Sequence, residues 1–277
     1  MPDLGELNGP EPRKQHVVDH GFFQSTDGTW RLWACIRGTG VSRLLFGWRG
    51  ESLEQGPWRP IGVVARAEAK YGEQIRQQDG KRVETMGAPY FVRDGDRILC
   101  FYHSAGIRLM TSPDGVEFKR ADLGGERGNL LYRDGGRDVM VLKIGDLHHA
   151  YSTVSTSDGH GYVILKTSPD LKTWSETKIV SRGGVAGDGP VSAESPFVVA
   201  LDGYYYLFRA SSITFKTYVY RSTDPTDFGV NDDSKLIATL PIKAPELIHH
   251  EGRWYISDLA DFQGVKLARL NWPRDDR

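Results

Sequence analysis

Apolar positions along this chain fall in short alternating runs of strand length, and the runs come in pairs. The clearest pair is Phe197-Val198-Val199-Ala200, a turn at Asp202-Gly203, and the return Tyr204-Tyr205-Tyr206-Leu207-Phe208. Alternating apolar residues rich in β-branched and aromatic types, separated by an Asp-Gly turn, predict an antiparallel hairpin. The same pattern recurs around Asp27-Gly28, Asp94-Gly95, Gly145-Asp146 and Glu251-Gly252, with successive glycines 67, 50, 58 and 49 residues apart. A second signature lies further out in the units: Ser52 to Trp58, Ser112 to Phe118, Ser168 to Trp174 and Ser222 to Phe228. Each ends in an aromatic residue, as expected for a turn between outer strands whose ring packs under a neighbouring unit. The fifth unit would be completed by Val265 to Leu270.

A period near 50 residues with several strands per unit predicts propeller blades rather than a sandwich. The expected fold is therefore all-β: a five-bladed β-propeller of four-stranded antiparallel blades around a central funnel. Residues 1–15, rich in Pro, Gly and charge, read as a loose lead-in, and 16–277 as one propeller domain. Helical periodicity is confined to a possible short turn between Val64 and Gln77. Polar insertions at 66–85, 121–136 and 181–192 each precede an inner strand, and loops gathered at one end of a scaffold commonly carry binding.

Composition narrows the class. The 277 residues carry a formal net charge of -1, with no basic stripe or charged tail, which argues against nucleic-acid or anionic-membrane partners. No apolar run approaches the roughly 18–20 residues of a membrane span. The N-terminus lacks a basic segment followed by an apolar core, so a cytoplasmic location is expected. Cys35 and Cys100 sit inside strand-like runs and are expected to be buried free thiols. Trp33, Trp48, Trp58, Trp174 and Trp254 are expected to pack between blades rather than serve as sugar platforms.

The chemistry lies in what opens each inner strand. In a propeller the first strand of every blade lines the axis, so residues at matching heights converge. Three of the five openings hold acids: Asp19, Asp138 and Glu194. Carboxyls facing one funnel repel each other and are partly desolvated, which pushes their proton affinities apart. Glycosidic cleavage needs that division, one carboxyl protonated and another ionised. The second strand of each blade returns to the height where the first began. By that count Arg37, His103 and Arg209 return beside the acids as candidates for holding sugar hydroxyls. Arg137 precedes Asp138 and faces away by strand alternation unless a bulge turns it. Glu246, after Ala244-Pro245, is a further binding candidate at the mouth of the fifth blade.

On these residues the chain from about 16 to 272 resembles the five-bladed propeller glycoside hydrolases, the group of families 43, 62, 32 and 68. Those families carry an Asp on the first blade, an Asp on the third and a Glu on the fourth. The resemblance implies that Glu194 is the proton donor, Asp19 the base or nucleophile, and Asp138 the residue that fixes the sugar and tunes Glu194. Gly136-Arg137-Asp138 is similar to the Arg-Asp-Pro element of family 32, with Val139 in place of its proline. Val18-Asp19-His20-Gly21 lacks that family's Asn-Asp-Pro wording. The implied substrates are small carbohydrates: short oligosaccharides or glycosides of arabinofuranosyl, fructofuranosyl or xylosyl type. No cofactor is implied; one ring of His249-His250 could reach the axis, where some family 43 members hold water or calcium. A sialidase is disfavoured because the glycine of its Asp-containing turn is missing and five units stand where six are expected. The remaining alternatives are a glycoside phosphorylase, with Arg37, Arg137 and Arg209 binding phosphate, and a non-catalytic sugar-binding propeller. The stereochemical outcome and oligomeric state stay open.

Overall fold

The structure, a computed structural model, describes residues 1–125, 128–134 and 136–272. Positions 126, 127 and 135 of the predicted insertion 121–136, and the last five residues of the predicted domain, lie outside the described residues.

Each predicted Gly turn joins two antiparallel strands, and the chain forms five sheets in succession. The first comprises β1 (His16–Gln24), β2 (Trp30–Thr39), β3 (Ser42–Gly50) and β4 (Arg59–Ala65), extended by the hairpin β5 (Gln74–Gln78) and β6 (Lys81–Thr85). The second holds β7 (Gly87–Asp94), β8 (Arg97–His103), β9 (Ile107–Ser112), β10 (Lys119–Arg120) and β11 (Leu130–Tyr132). The third is β12 (Arg137–Ile144), β13 (Leu147–Ser155), β14 (Gly161–Ser168) and β15 (Lys178–Arg182). The fourth is β16 (Glu194–Leu201), β17 (Tyr204–Ser211), β18 (Lys216–Ser222) and β19 (Leu236–Leu240). The fifth is β20 (Leu247–His250), β21 (Arg253–Asp258) and β22 (Lys266–Leu270).

Four strands per sheet, the expectation, therefore holds only for the third and fourth sheets. The insertions 66–85 and 121–136 contribute extra strands to the first two. The 66–85 hairpin stays attached because Glu84, fully buried, accepts from Arg66 Nε (3.2 Å), Arg82 Nε (2.7 Å) and the Ala67 N–H (3.2 Å). A buried carboxylate is tolerable only when so paired.

The outer turns repeat as the sequence implied. Asp114, Asp170 and Asp224 each accept a backbone N–H two residues on, from Val116, Lys172 and Thr226, at 2.8 Å. The aromatic that follows packs onto the preceding sheet: Phe118 against Phe23 and Trp33, Trp174 against Tyr132, and Phe228 against Tyr151. The fifth sheet in turn meets the first through Trp30, Leu53 and Tyr255, with His20 Nε2 bonded to Ser257 Oγ at 2.7 Å. Cys35 and Cys100 are buried and free. The lead-in is not loose: Leu4 joins the core of the first sheet, and Gln15 is buried with its Nε2 donating to Asn8 Oδ1 at 3.0 Å. Among the described residues, no helix is long and apolar enough to cross a membrane.

One backbone feature recurs around the axis. Asp19, Ala88, Asp138, Ser195 and Ala244 all adopt left-handed conformation, with φ of 42°, 50°, 52°, 45° and 44°. In the first four sheets the residue lies where the register between first and second strands slips. Each such residue costs about 1–3 kcal/mol unless its surroundings enforce it. All five residues line one small void, four of them placed there by a bulge.

Candidate active site

Three acids from three different sheets share one cavity of about 290 Å³: Asp19 on β1, Asp138 on β12 and Glu194 on β16. The bulges correct the sequence register at one of them. Asp19 and Asp138 occupy the left-handed position itself, but on the fourth sheet that position is Ser195, and Glu194 stands one residue earlier. Glu194 is thus matched with Arg137, not with Asp138, and the two face each other: Arg137 Nη2 donates to Glu194 Oε1. Strand alternation alone would have turned Arg137 away; the bulge brings it round.

The acids are tied together through their neighbours. Ser195 donates its hydroxyl to Asp19 Oδ1 and its backbone N–H to Asp138 Oδ2, both at 3.3 Å. Arg137 Nε lies 3.8 Å from Asp138 Oδ2, and its Nη1 donates to Ser155 Oγ at 2.9 Å. Ser212 Oγ donates to Glu194 Oε2 at 3.4 Å. Asp138 is the most enclosed, with its side chain 5% exposed against 21% for Glu194. Burial, then the charges of Asp19 and Glu194, push Asp138 well above the ordinary carboxylate range, against the opposing pull of Arg137. Asp19 is raised by burial and Glu194, while Arg43, Ser195 and Arg137 pull it back. A raised carboxyl retains a proton that an ordinary Asp has lost, so this trio can hold protonated and ionised members side by side.

The other sequence candidates divide. Arg37 lines the cavity, with Nη2 3.0 Å from His16 Nδ1. Glu246 lies below the cavity, not at its mouth: two residues past the left-handed Ala244, it lines the small void under the acids, raised by burial and Asp19. His103 is buried behind the wall against Gly87 and Cys35, and burial holds it neutral with a value of about 3. Arg209 does not reach the site. Fully buried, it donates to the carbonyls of Ser192 (3.0 Å), Gly183 (3.2 Å) and Gly187 and to Ser181 Oγ (3.2 Å), clamping the 181–192 insertion. Counting residues from the turn placed it at the correct height but on the opposite face of β17. His249 packs tilted against Trp254 and His250 edge-on to Trp30, and no group of three or more His, Cys, Asp or Glu among the described residues is arranged for a metal.

Several lining residues carried no signal at hairpin level. Arg43 opens the third strand, outside the two that the turn count compares. Phe215, Lys243 and Phe262 come from loops. Phe215 is 48% exposed at the rim, 6.2 Å from the Phe262 ring, and offers the apolar face a sugar ring stacks on. A larger apolar hollow of about 570 Å³ lies between the first and fifth sheets, lined by Phe22, Trp48 and Trp58, but it gathers no carboxylate pair.

No protein-family model matches the sequence, and no curated protein does. The fold, by contrast, is shared with solved structures. The chain superposes on a GH43_1 enzyme from Xanthomonas citri complexed with xylose with a TM-score of 0.66 at 13% identity, covering 95% of this chain and 89% of that one. A GH43 β-xylosidase/α-arabinofuranosidase from a compost microbial metagenome, in complex with xylotriose, gives 0.63 at 13% identity over 99% and 97%. An exo-1,5-α-L-arabinanase from a bovine ruminal metagenomic library gives 0.60 at 18% identity over 94% and 95%.

Proposed function

We propose that the chain is a glycoside hydrolase that removes terminal sugars from short oligosaccharides or glycosides, of arabinofuranosyl, fructofuranosyl or xylosyl type. The observation that carries this reading is the trio Asp19, Asp138 and Glu194 in one cavity, drawn from sheets far apart in sequence and joined through Ser195 and Arg137. The fold shared with GH43 xylosidases and an arabinanase supports it. In this reading the five sheets are the blades of one five-bladed propeller, residues 16–277, closed where the fifth sheet meets the first.

Glu194, more accessible than Asp138, donates the proton to the leaving oxygen. Asp19 acts as base or nucleophile, and its raised proton affinity makes it a stronger base than an ordinary Asp. Asp138, beneath both, fixes the sugar and sets the charge around Glu194. Arg137 orients Glu194, and Phe215 stacks on the ring. A cavity of about 290 Å³ sits at the small end of ligand clefts, which favours a single terminal residue over a long chain.

Glu194→Gln tests the assignment. It should lower kcat on natural oligosaccharides by about 10²–10⁴-fold, and much less on aryl glycosides whose leaving group needs no proton. Unchanged kcat on an oligosaccharide would remove Glu194 from the role. Sugar binding with no turnover by the wild-type protein would point instead to a non-catalytic sugar-binding propeller.

A further inference from the structure

Two arginines on the cavity wall, Arg37 and Arg43, make no ion pair with its acids among the described residues. Arg37 lies near the end of β2 and Arg43 near the start of β3, and the two are direct cross-strand partners. Like charges so placed are destabilising by about 0.2–1 kcal/mol unless something negative lies between them. Asp19 attracts Arg43 across the cavity, but among the described residues no carboxylate is hydrogen-bonded to or ion-paired with either guanidinium. Arg37 hydrogen-bonds to the imidazole of His16, whose proton affinity is lowered by burial and by Arg37 itself, and lies 5.4 Å from the centre of the Phe262 ring. The Arg43 guanidinium makes no hydrogen bond or ion pair among the described residues, although both arginines line the cavity.

The rest of the molecule treats its enclosed guanidiniums differently. Arg66 is paired with Glu84, Arg120 with Glu73, and Arg209 is saturated by carbonyls. On the cavity wall Arg137 is committed to Glu194 and Asp138, and Lys243 to the exposed Asp261. The cavity guanidiniums left without an ion pair are therefore those of Arg37 and Arg43. Neutral sugar hydroxyls ask for acceptors as well as donors, and a guanidinium offers donors alone. Its planar fork matches an oxyanion with two parallel hydrogen bonds.

We propose that the sugar taken by this site carries an anionic substituent, a carboxylate or a phosphate, held between Arg37 and Arg43. The proposal rests on the glycosidase chemistry of the same cavity and extends its substrates to acidic glycosides, taken in preference to the neutral arabinofuranosyl, fructofuranosyl and xylosyl glycosides.

The test uses the full chain and two readouts. The first is kcat/KM on aryl xyloside and arabinofuranoside, on aryl glucuronide and galacturonide, and on an aryl hexoside 6-phosphate. The second, independent of turnover, is the thermal shift produced by free glucuronate, galacturonate and glucose 6-phosphate. The acidic-to-neutral ratio of kcat/KM should exceed about ten and fall at least about ten-fold in Arg43→Met. Arg43→Lys, which keeps the charge but loses the fork, should fall between them. The thermal shift by acidic sugars should vanish in Arg43→Met and weaken at about 0.5 M salt. Which compounds respond separates uronate from phosphate.

Preference for the neutral pentosides with a ratio unmoved by Arg43→Met would overturn the proposal and leave the glycosidase standing. So would cleavage of a neutral glycoside only when inorganic phosphate is added, which would assign the arginines to a co-substrate. Arg43-dependent binding of acidic sugars without cleavage of any glycoside would uphold the anion site and end the glycosidase reading. Neither binding nor cleavage would end both.

Discussion

Asp138 shows how one residue couples stability to the site. Its carboxyl holds a proton in the folded chain at pH values where the unfolded chain, near 3.8, has released it. Its contribution to stability is therefore complete below about 3.8 and is lost as pH rises through the folded value, at about 1.4 kcal/mol per pH unit. Asp138→Asn removes that loss, so its melting temperature relative to wild type should climb between pH 4 and pH 7. A difference independent of pH would show that Asp138 titrates normally. If Asp19 is the base, the acid limb of kcat/KM should lie above the ordinary carboxylate value. Arg43→Met, by removing a charge that pulls Asp19 down, should move that limb higher still. At this scale the sequence was informative for acids and poor for their partners. Asp19 and Asp138 could be read because a carboxylate opening an apolar strand is conspicuous. Arg43 could not, because only a cross-strand register places it opposite Arg37, and Arg209 was misplaced because residue counting does not choose a face.

Among elements, the bulged first strands matter most. A hairpin predicted from alternation and an Asp-Gly turn is robust, and all five turns were legible for that reason. A bulge leaves no such mark when its left-handed residue is Asp, Ser or Ala, so the one-residue offset of Glu194 was invisible until the backbone was seen. Gly136, φ +67°, shows how tightly the third bulge is held: a Cβ there would press into the Thr153 carbonyl oxygen. Gly136→Ala should cost about 3 kcal/mol or more in chemical denaturation, and should impair turnover by displacing Arg137 and Asp138. At the neighbouring strand Ala88→Gly should escape the usual penalty for glycine in a strand, since its φ of 50° already suits glycine. A loss near 1 kcal/mol would mean that the left-handed conformation at Ala88 carries no strain.

For the whole molecule, the meeting of first and fifth sheets joins the two ends of the chain. Tyr255 is central to it, buried beside Trp30 and Leu53 with its hydroxyl donating to Glu54. Tyr255→Ala should cost about 3–5 kcal/mol and lower the single unfolding transition as a unit. Two transitions, with the fifth sheet melting first, would show that the sheets are not cooperatively joined. The repeat made this scale legible from the glycine spacing, whereas the extra strands of the first two sheets came from insertions whose polar composition hid their pairing. The five left-handed positions have a last consequence. The main chain adopts that costly path whether the occupant is a carboxylate, as at Asp19 and Asp138, or merely a methyl or hydroxymethyl, as at Ala88, Ala244 and Ser195. The scaffold thus behaves like a socket plate with uniform fittings. Short new groups can be installed at the two alanines, already aimed inward, without redrawing the trace that carries them.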